Sequence, residues 1–138
     1  MIQIIPSLLV LSEKEFKKQI NSIKKEVKMA QIDLADGKFV ANKTWTFEEP
    51  KKAQQYLDID FELHLMVINP LETIKDWMYN PRLKRILVHY ESTDDIKGVV
   101  EELGLLGKEI SVVLSPNTSI LVLEPLLDKI QGVMFMGV

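Results

Sequence analysis

The sequence predicts an α/β fold in which a parallel sheet is covered by helices. Three observations carry this. Short apolar runs open near Ile2, Lys28, Phe61, Lys84, Glu109 and Gly132. The stretches between them are amphipathic or charged and of helical length. One run plus one stretch takes roughly 23–33 residues, the length of a repeating strand–helix unit with parallel strands.

Each element has its own signal. IQIIP reads as the first strand. Ser12 followed by Glu15 is a capping box, so a helix starts there. Phe16, Ile20, Ile23 and Val27 then fall on one helical face, with lysines opposite. KMAQIDL is the second strand, and Asp36-Gly37 turns the chain after it. Thr46 and Glu49 form a second capping box pattern. FELHLMV is the third strand. Asn69-Pro70 supplies an N-cap and a first-turn residue, with Ile74, Trp77 and Met78 as the buried stripe. KRILVHY is the fourth strand. Ser92, Thr93 or Asp94 caps IKGVVEELGLL, and Gly104 or Gly107 ends it. EISVVLS is the fifth strand. Pro125 interrupts SILVLEPLLDKI, so a break or a short helix is expected there. GVMFMGV is the sixth strand, and the chain stops on it at Val138.

A closed eight-stranded barrel takes about 200–250 residues, and six units are two short of it. The expectation is a single domain over residues 1–138 that forms the N-terminal portion of a longer barrel. Strands 1 and 6 are then unsealed edges, which favours association and leaves the chain inactive by itself. A homo-oligomer is compatible with this.

Composition narrows the function classes. Hydrophobic residues are 46% and charged residues 27% of the 138, an ordinary globular balance. Net charge is −3, with no basic surplus for nucleic acid and no polybasic run for a membrane surface. The lysine pairs at 17–18, 24–25 and 51–52 read as solvated helix faces. The absence of cysteine excludes disulfides, thiolate metal sites and thiol nucleophiles. Two histidines exclude an all-histidine metal triad. The N-terminus has no basic n-region and its apolar run is too short to span a bilayer, so a cytoplasmic protein is expected. There is no phosphate-binding P-loop, dinucleotide fingerprint or nucleophile elbow.

In α/β folds functional groups gather at the carboxyl ends of parallel strands. Polar residues stand there: Ser7, Gln31 and Asp33, His64, His89 and Glu91, Ser115 and Asn117. Strand alternation puts Gln31, Asp33 and Ala35 on one face, and Glu62, His64 and Met66 on one face. Where both faces point into one mouth, Asp33 and His64 converge and can share a divalent metal. Asp36-Gly37 takes the turn role, which leaves Asp33 inside the strand, where a carboxylate is costly unless paired or ligated. The bland readings are a satisfied buried histidine for His64, a structural His89, a Glu91 at the rim or supporting the site from behind, core positions for Met66, Met134 and Met136, and packing for Trp45 and Trp77.

IIPSLL, QIDLADGKFVAN, ELHLMVINP, VHYES, VVLSPNT and VMFMGV, in this order and spacing, resemble the ribulose-phosphate 3-epimerase family over essentially the whole chain. That family's strand 2 reads H-x-D-x-M-D-G-x-F-V-P-N, its strand 3 H-L-M and its strand 6 V-M-S-V. The resemblance implies a TIM barrel of the ribulose-phosphate-binding type. It implies one divalent metal ion (zinc, iron, manganese or magnesium) held by two His and two Asp, with the two Asp as acid and base on opposite faces of substrate C3. Asp33 matches the first catalytic and metal-binding aspartate. His64 matches a metal ligand that also meets substrate. Ser7 matches a substrate-contacting serine, and Met66 and Met136 match apolar residues around the reacting carbons. Gln31 stands where the family has its first metal histidine, Ala35 where it has Met, Ala41 where it has Pro and Gly137 where it has Ser. An amide oxygen is a weaker ligand than imidazole for a borderline metal, so the site either favours Mn²⁺ or Mg²⁺ or binds metal less tightly. The family's second aspartate and phosphate-binding glycine loops fall after strand 6.

The implied activity is an isomerase that interconverts D-ribulose 5-phosphate and D-xylulose 5-phosphate in the pentose phosphate pathway. The partner is a small ketose phosphate. Two alternatives stand beside it: epimerisation of another ketose phosphate, and a non-catalytic sugar-phosphate-binding relative, which Gln31 keeps open.

Overall fold

The computed structural model describes residues 2–138. Strands β1 (Ser7–Leu8), β2 (Met29–Ala35), β3 (Asp60–Met66), β4 (Leu83–His89), β5 (Glu109–Leu114) and β6 (Gly132–Phe135) alternate with helices. These are α1 (Glu13–Ile23), α2 (Trp45–Glu48), α3 (Pro50–Gln54), α4 (Pro70–Ile74) and α5 (Ile96–Gly104). Two 3₁₀ segments, Tyr90–Ser92 and Ile120–Leu126, complete the order. All strands are parallel and sit in chain order β1 to β6, as right-handed crossovers between sequential strands require. The result is half of a TIM barrel.

Strand alternation divides the side chains. Ile32, Leu34, Leu63, Leu65, Ile86, Val88, Ile110 and Val112 join Phe16, Ile20, Trp77 and Val100 in the core between sheet and helices. The opposite, inner face carries rows set by register. One runs Gln31, Glu62, Arg85, Glu109, and the next Asp33, His64, Leu87, Ser111, Gly132. Arg85 ties its row together, donating to Glu62 at 2.7 Å and to Glu109 at 2.9 Å. Gln31, Glu62, Arg85, Leu87, Ser111 and Met134 line an open hollow of about 410 Å³ on this face.

Several local expectations hold. Ser12 caps α1 by accepting from Glu15 N–H, and Glu15 accepts in return from Leu11 N–H. Gly37 has φ +74°, the left-handed value that the turn after β2 needs. Asp36 closes that turn by accepting from the N–H groups of Lys38 and Phe39. Pro125 lies within a 3₁₀ segment rather than an α-helix, consistent with its missing N–H.

Others are corrected. IQIIP is not the first strand: β1 is Ser7–Leu8, and Ile2 and Ile4 are exposed. Pairing with β2 decides this, since Gln31 N–H donates to Pro6 C=O and Ser7 stands opposite Gln31. Val27 lies past the end of α1, and Trp77 and Met78 lie past the end of α4. Thr46 does not cap a helix. It is inside α2, fully buried, and donates its hydroxyl to Asp33 C=O at 2.7 Å. Asn69 precedes Pro70 at the start of α4 but makes no side-chain capping bond. The cap of α5 is Asp95, not Ser92, Thr93 or Asp94. It accepts from Gly98 N–H, while Ser92 donates to His89 C=O. Met134 and Met136 are half-buried rather than core. Among the described residues, no helix is long and apolar enough to cross a membrane.

Candidate active site

The sheet register builds the site. Asp33 and His64 are directly opposite each other on β2 and β3, near the carboxyl ends, and both are buried. His64 Nδ1 lies 3.1 Å from Asp33 Oδ1. Gln31, two residues earlier on the same face of β2, donates its amide N–H to Asp33 Oδ1 at 2.8 Å and lies 3.4 Å from His64 Nδ1. Ser7, the first residue of β1, donates to the other carboxylate oxygen at 2.7 Å. Burial by itself pushes the Asp33 carboxyl up. The hydrogen bonds to His64, Ser7 and Gln31 outweigh it and hold the group below the usual aspartate value. Asp33 is therefore an ionised carboxylate with both oxygens fixed.

His89 enters the same cluster from the end of β4. Its ring stacks near that of His64, with centroids 5.0 Å apart, and the two Nε2 atoms are 2.8 Å apart. Phe39, delivered by the loop after β2, closes over the His89 ring at 4.8 Å. Burial lowers the His89 pKa to about 4, so its ring is neutral at physiological pH. Beyond it, Glu91 Oε2 stands 3.5 Å from His89 Nδ1. Glu91 Oε1 accepts from Ser115 N–H at 2.8 Å and from the Thr118 hydroxyl.

The remaining candidates lie around this centre. Met66 ends β3 beside Ala35, buried and on the Asp33–His64 face. Met136 is one residue past β6, half-buried, with its N–H on Leu114 C=O. Ser7, Gln31, Asp33 and His64 thus form one hydrogen-bonded group. His89, read from sequence as structural, and Glu91, read as a rim residue, extend it. Their parity on the fourth strand, His89 matching Leu87, was the available signal, but it needed the register to β3 to show where the ring points.

The donor set can be tested for a metal. Among the described residues no three His, Asp or Glu side chains converge as ligands. What converges is one carboxylate, one imidazole and one amide, and their terminal atoms form a triangle with edges of 2.8, 3.1 and 3.4 Å. Divalent ions with bonds of about 2.0–2.2 Å set neighbouring ligand atoms at about this separation. The set fits such an ion when the Gln31 amide presents its oxygen.

A parallel half-barrel with an ionised carboxylate and imidazoles at the strand ends belongs to the class of TIM-barrel enzyme folds. The model of the ribulose-phosphate 3 epimerase family matches residues 3–138. The chain belongs to that family. It is 33% identical to a ribulose-phosphate 3-epimerase of Chlamydia pneumoniae over 107 residues, which cover 78% of this chain and 46% of the relative. It is 26% identical to the chloroplastic ribulose-5-phosphate-3-epimerase of Arabidopsis thaliana over 140 residues, 99% of this chain and 50% of the relative. The ribulose-phosphate 3-epimerase of Bacillus subtilis (strain 168) is 26% identical over 139 residues, with 64% of that relative covered. The chain spans about half the length of the curated relatives it matches.

Proposed function

We propose that this chain carries the proton-transfer and metal-binding half of a ketose-phosphate 3-epimerase that interconverts D-ribulose 5-phosphate and D-xylulose 5-phosphate. The observation that supports it most is the triply held Asp33 carboxylate facing His64 at the strand ends. Asp33, His64 and the amide oxygen of Gln31 would hold a divalent ion. Such an ion supplies charge stabilisation for the enediolate that forms when the C3 proton leaves.

The chain's own residues do the rest. Asp33 accepts the C3 proton, and Ser7 fixes the carboxylate so that one oxygen faces the substrate. Met66 and Met136 provide apolar walls that limit water around the reacting carbons. Return of the proton from the opposite face needs a second acid, which the resembling family places after strand 6. His64 contacts the substrate oxygens as well as the ion in this reading. The substrate's phosphate is held by other residues than these.

The test has two arms. Mn²⁺ and Zn²⁺ are titrated into the chain, and epimerase turnover is measured on the chain fused to the C-terminal half of a relative's barrel. The fusion is expected to interconvert the two pentulose phosphates, and Asp33→Asn is expected to lower turnover at least about a hundredfold. A folded fusion without that activity, or a fully active Asp33→Asn variant, overturns the reading.

A further inference from the structure

We propose that His89 and Glu91 are positioning residues, forming a relay that locks His64 into the tautomer a metal ligand needs. The inference rests on the metal-binding reading above and deepens it.

With both rings neutral, the acceptors around them set where the protons sit. Asp33 Oδ1 is an acceptor, so in the metal-free neutral pair His64 carries its proton on Nδ1. Its Nε2 is then a bare lone pair, and His89 must donate to it from Nε2 across 2.8 Å. That leaves His89 Nδ1 without a proton. It is buried, without a hydrogen-bond partner, and faces another acceptor, Glu91 Oε2, at 3.5 Å. A buried nitrogen left without a partner is unfavourable.

A cation on His64 Nδ1 reverses the whole chain. The single proton of His64 moves to Nε2 and donates to His89 Nε2. His89 then carries its proton on Nδ1, where it points at the Glu91 carboxylate. Two protons are shared by the two rings before and after, so none is gained or lost. Every group in the relay acquires a partner only in this second state. Glu91 is prepared for it: Ser115 N–H and Thr118 occupy Oε1, which leaves Oε2 for His89. Phe39 covers the His89 ring and keeps water from substituting for Glu91. A ligating histidine whose other nitrogen is held this way binds metal more tightly.

His64 and His89 are the only histidines, so ¹⁵N-histidine labelling of the full chain reports the relay alone. Solid-state NMR reads the tautomers in any oligomeric state. The expected result without metal is His64 protonated on Nδ1 and His89 on Nε2. With Zn²⁺ it is His64 protonated on Nε2 and His89 on Nδ1. In a parallel Zn²⁺ titration, His89→Phe is expected to weaken binding about 10–100-fold. His89→Gln, whose amide oxygen can accept from His64 Nε2, is expected to restore most of it. Zinc that binds His64 while His89 keeps its proton on Nε2 overturns the relay and leaves the metal reading standing. So does wild-type affinity in folded His89→Phe. A wild-type chain that takes up no zinc overturns the metal reading itself, and the relay with it.

Discussion

Gln31 donates an amide N–H to Asp33 Oδ1 at 2.8 Å, and in the proposed reading it stands in for a metal histidine. Its Nε2 forms the third corner of the triangle, 3.4 Å from His64 Nδ1. The amide therefore keeps the site's shape and changes its donor strength. Gln31→His is expected to tighten Zn²⁺ binding about tenfold or more, because imidazole suits a borderline metal better than an amide oxygen. Calorimetric titration of both proteins measures this, and equal affinities would show that residue 31 does not face the ion. Asp33 and His64 were legible as a pair in the sequence, since both fall on the inward parity of adjacent strands. His89 was not legible in the same way. Its pattern on the fourth strand is equally that of a packed histidine, and only the register to β3 brings the two rings together.

At the scale of elements, the loop after β2 is built around one side chain. Asp36 accepts from Lys38 and Phe39 N–H with one oxygen and from Ile68 N–H, after β3, with the other. It thereby ties two site-bearing loops together and seats Phe39 over His89. Asp36→Ala is expected to destabilise the fold by about 1–3 kcal/mol, the usual effect of losing charge-assisted bonds to backbone. Urea unfolding midpoints measure it, and an unchanged midpoint would contradict the role. Helix α1 offers a pH test. Glu13 pairs with Lys52, Tyr56 and Lys17, which together lower its pKa to about 2. A carboxyl lowered on folding adds stability that is present above its unfolded value near 4.5 and is lost as pH falls toward 2. The melting temperatures of wild type and Glu13→Gln are therefore expected to differ at pH 6 and to converge by pH 2. A constant difference across that range would sink the assignment. Sequence gave α1 its start through Ser12 and Glu15. It misplaced the start of α5, because four polar residues in a row all suit a cap. Which of them does so depends on Ser92 being drawn to His89 C=O.

At the scale of the whole molecule, β1 and β6 are the open ends of a parallel sheet. β1 pairs through only two residues. Val133 and Phe135 on β6 are exposed, as are Ile120 and Leu121 in the 3₁₀ segment that precedes it in the chain. Unpaired backbone beside apolar surface invites strand pairing with other molecules. The 138-residue chain by itself is expected to sediment as oligomers or aggregates. A stable monomer with one cooperative melting transition would contradict this. Beside the open hollow, Arg85 pairs with the buried Glu62 and, on its other side, with Glu109.

The sequence by itself determined the α/β class, the strand order, the inward parity of Asp33 and His64, and the turn at Asp36-Gly37. These follow from local rules: apolar period, proline and glycine chemistry, and the alternation of side chains across a strand. Only the tertiary structure decided that the first strand is Ser7–Leu8, that Thr46 anchors β2 instead of capping a helix, that His89 reaches His64 and that Glu91 reaches His89. Each of these depends on contacts between segments far apart in the chain, from 13 residues for Thr46 and Asp33 to 25 for His64 and His89. Residue type allowed each side chain several partners, and packing left it one.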